Sequence, residues 1–182
     1  MARLRNRKPN TRERTPSTPE ERRQQTFQRA AKLLTAKSRS VAELRELLMK
    51  GQGVDKANVE EVLERLKEYG YLNDERYAFG YASAKVRQRP IGRQRLQRDL
   101  ILKQVKKDVA EEALELVFAE TPETDLIDRA IEKRLRLRGR PGNRAEAKSL
   151  FDHLLRQGFS FELVAEKVRA ASRTDLDDAE AD

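Results

Sequence analysis

"EYGYLNDERYAFGYASAK", residues 68–85, holds all four tyrosines of a 182-residue chain, within the thirteen positions from Tyr69 to Tyr81. A core, a base-stacking platform and a partner-binding surface would each gather tyrosines in this way. Local chemistry narrows the choice. Gly70 is a natural helix stop. Asn73 is a good N-cap, and Asp74 and Glu75 follow it where the helix dipole favours negative charge. Leu72 and Tyr77 occupy the N′ and N4 positions of a hydrophobic staple. The stretch therefore reads as the end of one helix and the start of another. The new helix should reach about Arg89 and must stop before Pro90.

Upstream, a helix is expected from about Thr18 to Lys37, with Pro19 in its first turn and Phe27, Ala30, Ala31 and Leu34 at 3/4 spacing. Ser40 and Glu43 form a capping box ahead of Leu44, Leu47 and Leu48, with Gly51 as the stop. A third helix starts near Asp55, carries Val59, Val62, Leu63 and Leu66, and closes at Gly70. Downstream the pattern recurs. Residues 89–105 place Leu96 and Leu100 on one helical face. Residues 105–118 begin a helix with Val109, Ala113, Leu116 and Val117 as its apolar positions. Residues 123–143 predict a long helix and a second Arg-Pro break, and residues 143–168 two more helices.

These helices align in threes. Leu44, Leu96 and Leu150 correspond, as do Leu48, Leu100 and Leu154, and then Val59, Val109 and Leu163. The spacing is about 50 residues, which is the signature of a repeat array. The fold class is all-α, with three tandem three-helix repeats at 20–70, 71–120 and 121–172. One such unit buries little surface by itself, so neighbours are expected to share cores. Residues 1–19 read as a flexible basic tail and residues 173–182 as an acidic one.

Composition agrees. Charged residues make up 38% of the chain and hydrophobic ones 37%, rich in Arg, Glu, Leu and Ala and with no Trp; that favours helix over strand. No Cys is present, which excludes disulfides and thiolate metal sites and fits a reducing cytoplasm. No segment approaches the roughly 20 apolar residues of a membrane span, and the basic N-terminus has no apolar stretch behind it. A soluble, cytoplasmic monomer is expected.

Enzyme chemistry finds little support. His153 is the single histidine and lies beside core leucines without convergent partners. Glu60, Glu61, Glu64 and Glu68 have the spacing of a solvated helix face rather than a metal site. "GQG" at 51–53 follows a helix, not a strand, and is a turn rather than a dinucleotide loop. No enzyme activity and no cofactor are expected. The basic clusters are the stronger signal, on a chain of formal net charge +8. Residues 84–107 hold nine Lys/Arg and one acid, and residues 129–148 hold eight and two. Such runs occur as solvated faces whose arginine stems cover a core edge. At equivalent places in consecutive repeats they also form a basic strip suited to a phosphate backbone or an acidic protein groove. Tyrosines beside such a strip can stack on bases or anchor a protein interface.

GYLNDERYA (70–78), followed by Tyr81, Arg89-Pro90 and IGRQRLQRDL (91–100), resembles the RecX family, regulators of the RecA recombinase. The family run is a Gly, an aromatic, Leu, an acidic pair, an aromatic and Ala, then a Gly ahead of the second unit's middle helix. AAKLLTAKSRSVAELRELLMKG (30–51) is similar to the family's opening unit. The resemblance spans roughly residues 24–170 and is most specific over the first two units. It departs at Gln104, where a Gly is common, and in both tails. It implies an elongated, curved helical array that binds along the groove of the RecA–DNA filament. Filament growth would be blocked, with RecA's ATP hydrolysis, strand exchange and co-protease stimulation suppressed. The expected contact region is Tyr77, Tyr81, Arg87, Arg93, Arg95, Arg98, Lys106 and Lys107. Within the tyrosine cluster, Tyr69, Tyr71 and Tyr77 are expected to pack the junction and Tyr81 to be the more exposed. The expected partner is the RecA filament, with single- or double-stranded DNA as a further partner and no membrane. Two alternatives stand beside this: a sequence-independent nucleic-acid-binding repeat acting without RecA, and a helical adaptor for an unrelated protein.

Overall fold

A computed structural model of the protein describes residues 18–50 and 55–177, and the described residues form nine α-helices and no strand. Three helices pack on one another in each of three consecutive groups. The first is α1 (Pro19–Ala36), α2 (Val41–Met49) and α3 (Lys56–Glu68). The second is α4 (Asp74–Gln88), α5 (Arg93–Leu102) and α6 (Lys107–Glu120). The third is α7 (Glu123–Arg138), α8 (Arg144–Gln157) and α9 (Phe161–Asp177). The all-helical fold of three three-helix repeats is thus the one observed.

Caps explain most of the boundaries. Ser40 and Glu43 form the expected capping box on α2, and Thr18 and Glu21 form another on α1. Asp55, Asn73 and Asn143 accept backbone N–H bonds at the starts of α3, α4 and α8. These bonds satisfy donors that have no partner within the helix. Helices α3, α5 and α8 share one C-terminal motif. The N–H of Gly70 donates to the Lys67 carbonyl and that of Tyr71 to Leu66. Gln104 and Val105 repeat this with Ile101 and Leu100, and Gly158 and Phe159 with Leu155 and Leu154. Each is a Schellman turn, whose pivot residue takes positive φ: +69° at Gly70, +56° at Gln104 and +91° at Gly158. Gly51, the expected stop of α2, lies outside the described residues.

The aligned leucines are all core. Leu44, Leu48, Leu96, Leu100, Leu150 and Leu154 are at most 3% exposed, and full burial of one such side chain contributes about 1.5–3 kcal/mol. The third correspondence is off by one residue. Val59, Ala110 and Val164 are the fully buried set, each four residues into its helix, while Val109 and Leu163 only edge the core. Leu116, expected to be apolar core, is 60% exposed; Leu114 takes its place. In that helix the buried face is 110, 113, 114 and 117, and Leu116 falls about 100° away from Val117 on it.

The expectation of shared cores holds at one junction. A single buried cluster runs through the second and third units, from Tyr77 to Val168. The first unit has a separate cluster built on Ala30, Leu44, Leu48, Val59, Val62, Leu63, Leu66 and Leu72. Leu72 and Tyr77, the staple pair, are both buried but belong to different clusters.

Candidate partner-binding surface

The tyrosine-rich stretch is where the first two units meet, and the contact there is polar. Ser40 Oγ donates to the carbonyl of Lys103 at 2.6 Å. The Lys103 ammonium sits 2.7 Å from the Glu43 carboxylate. Tyr77 Oη donates to the same carboxylate at 3.1 Å. Asp74, besides lying in the first turn of α4, accepts the Val41 N–H at 2.8 Å. Glu43, the third residue of α2, therefore ties α4 to the C-cap residue of α5. Burial pushes the Glu43 carboxyl up, but Lys103, Tyr77 and the Ser40 N–H outweigh it and hold the group below its usual value. Burial and the neighbouring Glu43 carboxylate push the Tyr77 phenol well above its ordinary value, so it stays a neutral donor.

The four tyrosines divide differently from expectation. Tyr77 is 7% exposed and packs in the second core, as predicted for the junction. Tyr69 and Tyr71, expected to pack there too, are 53% and 65% exposed. They follow the last residues of α3 and turn outward at its end: Tyr69 meets Phe27 of α1 edge-on at 6.4 Å and Tyr71 edge-on at 6.2 Å. Tyr81, expected to be the exposed one, is half-buried. Its ring stacks on Tyr77 at 6.1 Å, Lys85 sits over its face, and its hydroxyl reaches Asp99 at 3.4 Å.

The predicted cations do not share one environment. Arg87 and Arg98 are exposed, each bonding a carbonyl one turn back in its own helix, Ser83 and Gln94 respectively. Lys106 and Lys107 are exposed at the start of α6, with Lys107 3.6 Å from Glu111. Arg93 and Arg95 are half-buried on opposite sides of α5. Arg93 lies 3.8 Å from Glu115 and its N–H donates to Glu123 at 2.8 Å. Arg95 donates to the Arg156 carbonyl. They flank a close joint between the second and third units, where Gly92 donates to the Gln157 carbonyl and Gln94 to that of Gly158. Lys103, counted in the same basic run, is held by Glu43. The described residues thus leave Arg87, Arg98, Lys106 and Lys107 as the cations of that set most open to a partner, with Tyr77 withdrawn into the core.

Sequence reading missed Glu43 and Lys103 as a junction pair. They are 60 residues apart, and each has a sufficient local explanation, one as a cap and one as part of a basic run. No group of His or acidic residues suited to a metal occurs among the described residues, and none of their helices is long and apolar enough to cross a membrane.

Comparison with known proteins connects this geometry to one family. A family model described as "RecX, second three-helix domain" matches residues 73–114, which is α4 to the middle of α6. "Regulatory protein RecX" of Chlorobium limicola is 31% identical over 147 residues, covering 80% of this chain and 88% of that protein. "Regulatory protein RecX" of Bacillus licheniformis is 29% identical over 154 residues, 85% of this chain. This chain spans only 58% of that relative's length, and 54% of that of the Bacillus pumilus relative. The crystal structure of RecX from Lactobacillus salivarius superposes with a TM-score of 0.75 at 18% identity, covering 85% of this chain and 99% of that one. A shared three-unit helical fold and a relative matched along nearly its whole length make this chain a member of the RecX family.

Proposed function

We propose that this protein regulates the RecA recombinase by lying in the groove of the RecA–DNA filament and limiting its growth. ATP hydrolysis, strand exchange and co-protease stimulation by RecA fall as a consequence. The observation that carries this reading is the pair of bonded joints. They hold three repeats in a defined order and leave cations of the middle repeat, Arg87, Arg98, Lys106 and Lys107, open to solvent. A bonded array that exposes side chains from several helices suits a repeating partner surface better than a single pocket does. Tyr81 contributes the edge of its ring. The protein acts as a monomer and without catalysis of its own.

The same exposed cations also favour a second reading, in which the chain binds nucleic acid without RecA. One assay separates the two. RecA ATPase is measured on single-stranded DNA in excess, with the protein added substoichiometrically. Inhibition is expected. If ATPase persists while the protein binds DNA alone, with affinity falling steeply in salt, the second reading replaces the first.

A further inference from the structure

The cation run at 129–148 ends in a feature that neither joint uses. Arg134, Arg138 and Arg140 line a cleft of about 190 Å³ between the C-terminal end of α7 and the first half of α8. The i,i+4 spacing sets Arg134 and Arg138 on one face of α7. Gly139, at φ +76°, ends that helix, and the chain then brings Arg140 to the same opening. Ser149 adds a hydroxyl, which accepts from the Arg134 guanidinium at 3.3 Å. One acid lines the cleft, Glu146, and its carboxylate accepts the Gly142 N–H at 2.8 Å. Neither Arg134 nor Arg138 forms an ion pair with a described residue.

Arg134 and Arg138 bear on each other and on their neighbours as like charges. Burial, then Arg138 and Arg156, hold the Arg134 guanidinium below its usual value. Burial, then Arg134, Arg156 and Arg138, hold the His153 imidazole below its usual value. Like charges thus penalise one another across α7 and α8, and an anion in the cleft would offset the charges of Arg134 and Arg138. The planar forks of two guanidiniums with a hydroxyl beside them match the oxygens of a tetrahedral oxyanion.

We propose that this cleft is a phosphate-binding site, held by Arg134 and Arg138, for the phosphate of a nucleotide or of a nucleic-acid backbone. The proposal does not depend on the RecA reading, and its test contains no RecA. His153 is the single histidine of the chain, so its ring protons are assigned without ambiguity, and it feels the charges of both Arg134 and Arg138. The whole 182-residue chain is titrated with pH by NMR in inorganic phosphate and in chloride at matched ionic strength. Phosphate is expected to move the His153 midpoint upward, saturably. Arg138→Gln, a change at an exposed side chain, is compared with its own chloride baseline and is expected to weaken the apparent phosphate affinity about tenfold or more. Displacement of phosphate at lower concentration by a single-stranded oligonucleotide than by a mononucleotide assigns the backbone as the source, and the reverse order assigns a free nucleotide. Identical midpoints in phosphate and chloride, a phosphate shift untouched by Arg138→Gln, or failure of both competitors to displace phosphate overturns the proposal.

Discussion

Gln104 is the one residue other than glycine with positive φ among the described residues, at +56°. It pivots the Schellman turn after α5, and the equivalent turns after α3 and α8 pivot on Gly70 and Gly158. A side chain there costs about 1–2 kcal/mol of backbone strain, partly offset by the lower entropy of the unfolded chain relative to glycine. Gln104→Gly should therefore stabilise the protein by up to about 1 kcal/mol, seen as a rise of about 2–4 °C in the thermal midpoint. An unchanged or lower midpoint would mean the turn holds Gln104 without strain. Gly92 is the opposite case. A Cβ built on it would overlap the backbone of Gly158 and Phe159, and backbone cannot rotate away as a side chain can. Gly92→Ala should cost about 1–3 kcal/mol, measured by urea unfolding, by forcing the joint apart. The need for glycine before α5 was legible as a family pattern. The reason for it was not, because the atoms it avoids lie 66 residues further on, in the turn after α8.

Helix starts were legible because a cap and the donors it satisfies lie within four residues of each other. The surfaces between elements were not. Glu43 reads completely as the N3 member of a capping box, yet its carboxylate also joins α2 to Lys103, the C-cap of α5, and to Tyr77 of α4. The tyrosines were misassigned for the same reason: composition brought them together, but the turn at Gly70 sends Tyr69 and Tyr71 outward and Tyr77 inward. The network has a definite pH dependence. The folded pKa of Glu43 lies below its unfolded value, so its stabilisation is complete above about pH 4.5 and is lost as pH falls through the folded value. Glu43→Gln removes this term and leaves the Lys103 ammonium without its counter-charge. At neutral pH it should cost about 1.5–3 kcal/mol, the range for a charged hydrogen bond. The gap between wild type and variant should then narrow in acid. A gap that stays constant down to pH 3 would show that the carboxylate charge is not what holds the junction.

At the scale of the whole chain, the number of repeats was legible from the 52- and 54-residue spacing of buried leucines, because each repeat must bury the same helix faces. How the repeats couple was not legible, since periodicity is the same whether neighbours share a core or only touch. The structure distinguishes the cases: the second and third units share one apolar cluster, and the first joins them through polar bonds. Apolar contact couples units strongly, because opening one strips its neighbour's core, whereas a few bonds worth about 1–3 kcal/mol each net couple less strongly. Native-state hydrogen exchange should therefore resolve two cooperative blocks, with α1–α3 opening at lower free energy than α4–α9. Two truncations test the division. Leu154→Ala, in α8, should lower protection by about 2–5 kcal/mol in α4–α6 as well as in the third unit, and leave α1–α3 nearly unchanged. Leu48→Ala, in α2, should lower protection in α1–α3 by a similar amount with little effect beyond α4. If Leu154→Ala instead lowers protection equally in all nine helices, the polar junction transmits as strongly as the shared core and the chain unfolds as one block.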